Sequence, residues 1–225
     1  MLAIIIPYRA STQPERRDQL KNLLDAFAKF IPSAYVYIME QHDDKPFNRG
    51  ALLNVGIKVA GMGDNDVICF HDVDLLPCEN LIQEYLIPLD RGTVRHIARV
   101  WKRYDSDTYL GGILLMNQGD FIAINGFPNN FWGWGGEDDE LRDRIQRHGL
   151  TIQRSEHGKL IDQEHMTLSQ KLSHLKRTQQ KCPNKWEMRQ WNKEHPNQDG
   201  YKQVQDSIVY HHMYSKQCFH YWVSF

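Results

Sequence analysis

The sequence predicts an α/β protein whose parallel sheet is covered by helices. Three short apolar runs, residues 2–6, 34–39 and 67–70, have the length and branching of buried strands. The two segments between them, 14–31 and 49–59, carry apolar residues at three- and four-residue intervals, as helices do. Strand, helix, strand, helix, strand is the pattern of βαβ units.

Each element has a local reason. Residues 2–6 are continuously apolar and stop at Pro7, as expected of a strand buried on both faces. The first helix repeats Leu20, Leu23, Leu24, Phe27 and Phe30-Ile31, and Pro32 ends it. The second uses Leu52, Leu53, Val55 and Ile57, with Gly61 just beyond. The third strand runs into His71-Asp72-Val73-Asp74. Further on, 80–85 reads as a short helix, 93–98 as a strand, and 111–116 as a glycine-led strand. Residues 121–124 open a helix or turn before Asn125-Gly126-Phe127-Pro128. Residues 137–146 form a helix with acids in its first turn and Arg144 and Arg147 at its end, both suited to the helix dipole. Residues 155–200 are polar, with helical stretches but no independent core, and the aromatic stretch 208–225 returns to the body as a strand or hairpin.

A chain of 225 residues builds one full-sized core, or a domain with a small appendage. Its net charge of −1 argues against nonspecific nucleic-acid binding, and no nucleic-acid partner is expected. Six tryptophans, ten tyrosines and nine phenylalanines exceed what a minimal core needs, so part of that set is expected in a ligand cleft. Cys69, Cys78, Cys182 and Cys218 follow no zinc or redox spacing, and Cys69 reads as a buried small hydrophobe. No apolar run is long enough for a transmembrane segment, and residues 1–7 read as a first strand rather than a signal peptide. A soluble, intracellular chain is expected, or a portion trimmed from a longer membrane-anchored protein.

Ligands of parallel α/β sheets bind at the carboxyl ends of the strands. Residues 7–12, 40–48 and 71–77 fall there. Asp72 and Asp74, one residue apart, can address one cation while Val73 faces the core. Their oxygens suit Mg²⁺ or Mn²⁺, which commonly bridge phosphates. The competing reading is a solvated loop with one aspartate capping a turn, but the apolar strand feeding the motif favours metal. His165, with Asp162 three residues before it, is a candidate for the same ion if that stretch is helical or tightly turned; an ordinary exposed histidine is the alternative. Arg9 and Arg49 lie near strand ends and can meet phosphates or a base through their guanidinium forks.

A second acidic cluster follows glycines and tryptophans in Trp132-Gly133-Trp134-Gly135-Gly136-Glu137-Asp138-Asp139-Glu140. Glycines bring backbone close to a ligand, indoles offer flat apolar faces, and crowded carboxylates need a cation, a sugar hydroxyl or a helix start. Together they describe a polar-ligand site at the beginning of a helix. Trp134, between two glycines, is either a moving cover or a core residue in a rigid turn. In the tail, Lys171, Lys176 and Arg177 form either a solvated helix face or a contact for an anionic acceptor.

Four separated segments resemble the β-1,4-galactosyltransferase family. They are Ile4-Ile5-Ile6-Pro7-Tyr8-Arg9, Phe47-Asn48-Arg49 with Leu52-Leu53-Asn54-Val55-Gly56, Asp72-Val73-Asp74-Leu75 with Pro77, and Asn125-Gly126-Phe127-Pro128-Asn129-Asn130-Phe131 followed by the Trp/Gly/acid run. Tyr109-Leu110-Gly111-Gly112 is a looser fifth match. The resemblance covers roughly residues 2–165. Asp-x-Asp alone is a weak signal; the long stretch from Asn125 to Glu140 is a specific one.

The resemblance implies a GT-A glycosyltransferase fold, with a Rossmann-like nucleotide-sugar half merged with an acceptor-binding half. Residues 1–100 would form mainly the nucleotide-sugar and metal half, 101–165 the sugar and acceptor half, and 166–225 the polar segment and returning strand or hairpin of one catalytic domain. It implies inverting transfer of galactose from UDP-galactose to a saccharide or glycoconjugate, with Mn²⁺ or possible Mg²⁺ substitution, and a β-1,4 linkage. By motif matching, Pro7, Tyr8 and Arg9 would border the uridine and diphosphate, Phe47 and Arg49 would contact the nucleotide, and Val73 belongs to the donor-binding loop. Asp72 would approach the ribose or the metal through water, and Asp74 would ligate the metal with His165 and Asp162. Tyr109, Gly111 and Gly112 would border the transferred sugar. Trp134 would cover donor and acceptor, Glu137 and Asp138 would contact sugar hydroxyls with Asp138 as base, and Asp139 would contact the acceptor. The family often has a second arginine two residues after Arg9, where this chain has Ser11. That puts one diphosphate contact in doubt or moves it elsewhere.

The resemblance also implies a compartment: cytoplasm for a complete chain, Golgi lumen for a catalytic domain of a longer eukaryotic protein. Alternative readings are a transferase using UDP-N-acetylgalactosamine, UDP-glucose or UDP-xylose, a non-catalytic glycan- or nucleotide-binding protein, and a structural metal protein.

Overall fold

The computed structural model describes all residues except Thr12, Gln13 and Asp105. Thr12, the last residue of the first expected strand-end segment, therefore lies outside the described residues. The fold is built outward from β1, Leu2–Tyr8. Its three consecutive isoleucines are all fully buried because each strand face meets its own core. Ile4, Ile6 and Tyr8 pack on one side, and Ala3 and Ile5 on the other.

Helix α1, Arg16–Phe30, covers the first side with Leu20, Leu23 and Phe27. The Ile31 N–H bonds to the Phe27 carbonyl, and Pro32 allows no further turn. Strand β2, Tyr35–Gln41, returns parallel to β1, with Ala3 opposite Tyr35. Helix α2, Arg49–Ala60, then covers the second side. Asn48 caps it: its side-chain oxygen accepts from the Ala51 N–H at 3.0 Å. Gly61, at φ 57°, ends it in the left-handed conformation. Gly56 lets this helix lie close to the sheet, since a Cβ there would stand 2.3 Å from Ile5 Cγ2.

Strand β3, Val67–His71, pairs with β1 on its other edge. The chain continues through β4 (Leu75–Pro77), α3 (Gln83–Leu86), β5 (Thr93–His96), β6 (Ile113–Asn117) and α4 (Gln118–Ala123). It then forms α5 (Glu137–Arg147), β7 (Thr151–Arg154), β8 (Leu160–Asp162), α6 (Leu168–Arg177) and α7 (Lys185–Glu194). The hairpin β9 (Ser207–Ser215) and β10 (Cys218–Ser224) closes the sequence. Eight strands form one sheet in the order β7-β5-β6-β3-β1-β2-β10-β9, and β4 with β8 makes a small second sheet.

The sheet is mixed rather than wholly parallel. Strand β6 lies antiparallel to β3 and β5, whereas β10 joins β2 in parallel. The expected strand over 93–98 ends at His96, because Ile97–Val100 coils into a helical turn. The strand expected from Gly111 starts at Ile113, after Gly112 takes φ 84°. The helix or turn expected at 121–124 is a helix that begins earlier, at Gln118. Strands β4, β7 and β8 carry no signal of the kind that marks β1, being only three or four residues long. All four cysteines are free, and Cys69 is buried. Among the described residues no helix is long and apolar enough to cross a membrane.

The contact between α2 and β1 yields a stability test. Alanine in place of Gly56 gains helix propensity but drives a methyl group into Ile5 and Met39. The expected net loss is about 1–3 kcal/mol, as for other overpacked cores. Urea unfolding of the wild type and Gly56→Ala measures it, and an unchanged midpoint would contradict this close packing.

Candidate active site

The site forms where β1, β2 and β3 end beneath the start of α5. Arg49, the first residue of α2, reaches from one acidic cluster to the other. Its Nε donates to Asp72 Oδ1 at 2.8 Å, and its Nη1 donates to Asp138 Oδ1 at 2.7 Å. Glu137 Oε1 stands 3.8 Å from the same Nη1. The two acidic motifs, separated by more than sixty residues in sequence, thus share one guanidinium. Asn48 holds Arg49 in place by capping α2 and by donating to the Asn129 carbonyl at 2.7 Å.

Asp138 lies directly against Gly111. A Cβ at Gly111 would be 2.5 Å from Asp138 Oδ2 and 2.8 Å from the Tyr109 ring, so only glycine permits this approach. The Asp72 N–H bonds to the Gly112 carbonyl at 2.9 Å, which ties the Asp-x-Asp loop to the same segment. Tyr109, Gly111, Gly112, Asp72, Asp138, Glu137 and Arg49 therefore form one continuous group. Gly136 starts α5 at φ 110°, where a Cβ would also strike the Phe131 ring.

Burial sets the electrostatics. Burial and the neighbouring Asp138 push the Glu137 carboxyl up to about 8, against the pull of Arg49. Burial also raises Asp138, opposed by Arg49 and assisted by Asp139. Asp72 is likewise raised by burial, with Arg49 opposing. The Tyr109 hydroxyl is pushed far up by burial and by Asp72 and Asp138, so it stays protonated and can donate. The helix start opposes the crowding of the α5 acids, and around Asp138 burial wins.

The other residues singled out in the sequence are more dispersed. Arg9 is engaged with the 43–47 loop: its Nη2 donates to the Lys45 carbonyl at 2.8 Å, and its guanidinium lies over the Phe47 ring at 5.7 Å. Tyr8 points to the opposite side of β1, toward α1, where burial and Glu40 raise its hydroxyl to about 12. Pro7 sits within β1 opposite Met39, and Val73 is buried as expected. Trp134 is 38% exposed. Its backbone N–H bonds to the Gln180 carbonyl at 2.7 Å, and its carbonyl accepts from the Cys182 N–H at 3.1 Å. The segment around Trp134 is therefore pinned to the α6–α7 linker. Trp132 packs edge-on against Phe225. Asp139 faces Arg142 at 3.5 Å and Arg189 at 4.0 Å. Glu140 is a core residue, paired with Arg144 and Arg147 at 3.1 and 2.9 Å.

The expected convergence of Asp74, Asp162 and His165 is absent. Asp162 faces away and pairs with Arg103 at 2.7 Å and with the Trp101 indole at 3.2 Å. The reason is that 160–162 is strand rather than helix, so three-residue spacing does not align side chains. His165 is exposed. Glu164, which spacing did not suggest, stands beside Asp74 instead. Both carboxylates share two cations: Arg16 lies 2.9 Å from Asp74 and 3.7 Å from Glu164, and Lys171 lies 4.0 and 3.3 Å from them. Burial raises Asp74, but Arg16 and Lys171 outweigh it and hold its carboxyl below the usual range.

Among the described residues no group of three or more His, Cys, Asp or Glu side chains converges as a complete metal cage. Two buried carboxylates gathered around positive charge nevertheless fit a hard divalent cation, which typically takes one or two carboxylates and completes its shell with substrate phosphates and water. Arg16, at the start of α1, is thus a cation beside Asp74 that only the folded position of that helix reveals.

Comparison with known proteins agrees with this geometry. A model of the N-terminal region of glycosyl transferase group 7 matches residues 1–85, and one described as the N-terminal domain of galactosyltransferase matches 92–168. The structure of a mutant Drosophila β-1,4-galactosyltransferase 7, complexed with manganese, UDP-Gal and xylobiose, superposes with a TM-score of 0.78 at 30% identity, covering 99% of this chain and 93% of that one. The chain belongs to the β-1,4-galactosyltransferase family. Its architecture is accordingly the GT-A fold of that family. Among relatives in this family, β-1,4-galactosyltransferase 7 of Drosophila melanogaster is 35% identical over 194 residues, 83% of this chain and 58% of that protein. β-1,4-Galactosyltransferase 4 of Mus musculus is 38% identical over 161 residues, 68% of this chain and 44% of that protein. The chain thus spans about half the length of these two relatives. A mannosyltransferase of Pyrobaculum calidifontis shares only the fold, with a TM-score of 0.57 at 12% identity.

The raised Glu137 carboxyl has a measurable consequence. It rises from 4.5 to about 8 on folding, so the unfolded chain releases this proton first as pH increases. Stability is therefore lost between those two values and is constant above them. Glu137→Gln removes this contribution. Urea unfolding from pH 5 to 8.5 is expected to show a shallower decline in the variant; parallel curves would contradict a buried, proton-retaining Glu137.

Proposed function

We propose that this protein transfers galactose from UDP-galactose, with inversion, to a saccharide hydroxyl, forming a β-1,4 linkage with Mn²⁺ bound beside the donor. The observation that carries the reading is the Arg49 bridge between the Asp72 loop and Asp138. Inverting transfer needs a base on the nucleophile side and positive charge toward the leaving group, within one ligand's length of each other. The Drosophila relative crystallised with manganese, UDP-Gal and xylobiose supports the choice of donor, metal and saccharide acceptor.

In this mechanism Arg9 and Phe47 bound the uridine, and Arg16 faces the diphosphate. Asp74, with Glu164 beside it, would hold a divalent metal, which would supply charge stabilisation to the departing UDP. Gly111 and Gly112 bring backbone against the transferred sugar, and Tyr109 donates to it. Asp138 takes the proton from the acceptor hydroxyl as that oxygen attacks the anomeric carbon. Its negative charge disappears as charge develops on UDP, so Arg49 loses an anionic partner as the leaving group gains charge. Glu137 orders the sugar hydroxyls beside it, and Asp139 meets the acceptor. Trp134 shields the reacting centre from water, which limits hydrolysis of the donor. Residues 1–100 serve chiefly nucleotide and metal, 101–165 sugar and acceptor, and 166–225 form the polar segment and the returning hairpin.

Incubation with UDP-galactose, Mn²⁺ and an acceptor panel that includes xylobiose, with product linkage read by NMR, tests the activity. Asp138→Asn is expected to lower turnover by about 10²–10⁴ while UDP binding persists. The acid limb of kcat/KM is expected above the ordinary carboxylate range, because burial raises Asp138. Full turnover in Asp138→Asn would remove it as the base. A product with α configuration would overturn the inverting mechanism.

A further inference from the structure

Residues 107–111, which carry Tyr109 and Gly111, form neither helix nor strand. Basic side chains hold their carbonyls instead. Arg154 Nη2 donates to the Asp107 carbonyl at 2.6 Å, and its Nη1 donates to the Tyr109 carbonyl at 2.9 Å. Arg142 Nη1 donates to the Thr108 carbonyl at 2.5 Å. His96 Nε2 lies 2.9 Å from the Gly111 carbonyl.

Arg154 and His96 form a chain. They stand opposite each other where β5 and β7 run parallel, and Arg154 Nη1 lies 2.8 Å from His96 Nδ1. A guanidinium has only donors, so Nδ1 accepts. The single proton of the neutral ring then sits on Nε2 and is given to Gly111. The neutral ring is the stable form: burial pushes the imidazole down to about 4, and Arg154 and Arg99 add to that against the pull of the Gly111 bond. His96 is fully buried, and the Tyr109 ring stands edge-on to it at 5.6 Å. The hydrogen bonds of Arg154 among the described residues all end on neutral acceptors, none on a carboxylate. A planar fork suits that work, because it holds two carbonyls and a ring nitrogen in one fixed geometry, and a single ammonium does not.

Resting on the galactosyl-transfer reading above, we propose that Arg154 is a positioning residue for the reaction. It acts through His96 and through the carbonyls of residues 107 and 109 to fix the Tyr109-to-Gly111 backbone against Asp138. Gly111 is where the fit is tightest: a Cβ there would stand 2.5 Å from Asp138 Oδ2. Drift of this backbone changes where the transferred sugar lies relative to the base. The bonds of Arg154 reach neither Arg49 nor the Asp72 loop. Its loss therefore lowers turnover and spares nucleotide binding.

Transfer kinetics and histidine NMR test this. Arg154→Met, Arg154→Lys, His96→Gln and the Arg154→Met/His96→Gln double variant are compared with the wild type, after circular dichroism and urea unfolding establish which are folded. Arg154→Met is expected to lose roughly 10–100-fold in kcat with UDP-galactose. Its affinity for UDP with Mn²⁺, measured by calorimetry, is expected to stay unchanged. Arg154→Lys keeps the charge without the fork and is expected to share the loss. The double variant is expected to lose less than the product of the two single losses, because both act on one chain. In ¹⁵N-histidine-labelled wild type, the His96 ring, assigned by its disappearance in His96→Gln, is expected to show the Nε2–H tautomer alone. Wild-type kcat in either folded Arg154 variant overturns the positioning role, as does a loss confined to UDP affinity. Losses that multiply in the double variant, or an Nδ1–H tautomer in the wild type, overturn the link through His96. A wild type that transfers no galactose overturns the galactosyl-transfer reading itself and this proposal with it.

Discussion

The arrangement of the site depends on the single guanidinium of Arg49. Burial acts against its charge, but Asp138, Asp72 and Glu137 more than compensate, and its proton is held more firmly than in a free arginine. The converse also applies: three carboxylates crowd into one buried volume because Arg49 stands among them. Taking that charge away would leave Asp72 and Asp138 buried and unpaired, a situation proteins relieve by protonation or rearrangement. Its position comes from Asn48, which starts α2 at the end of the β2 loop. A helix cap, a local device, thereby fixes the distance between two motifs remote in sequence.

The sheet supplies the rigidity that this arrangement requires. Strand β1 has a core on each face, so its register and that of its neighbours are set from both sides. Close approaches at Gly56 and Gly111 translate that rigidity into position: one seats α2 on the sheet, and the other seats Asp138 on the backbone beside Tyr109. The Asn125-to-Asn130 stretch turns out to be scaffold. Asn129 donates to Asp199, and the Asn125 carbonyl accepts from Arg144 and from the Tyr201 N–H. Its specific sequence reflects the docking of the tail beneath α5.

Much of this was legible in the sequence because it follows local rules. The isoleucine run, the helix spacings and the Asp72-Asp74 strand end each carry their own signal. So did the α5 acids, although sequence alone did not separate Glu140, a core ion-pair partner, from its three neighbours. The metal station was less legible. Spacing paired Asp162 with His165 on the assumption of a helix or tight turn; the short strand β8 instead sends Asp162 toward Arg103 and leaves Glu164 near Asp74. Alternation after an apolar pair, Leu160-Ile161, was the available cue, but three residues give it little weight. Arg16 and Lys171 had no such cue. Each looks like an ordinary charge on a helix until the packing of α1 and α6 shows where it points.

The backbone bonds between Trp134 and the Gln180–Cys182 linker divide the chain unevenly. Arg49, Asp72, Asp74, Tyr109 and Asp138 all precede the linker, while the backbone partners of Trp134 come after α6. The candidate site is consequently assembled from most of the length of the chain. A truncation before Gln180 would keep every one of those side chains and still take away the strand-like pairing that holds the Trp134 segment beside them.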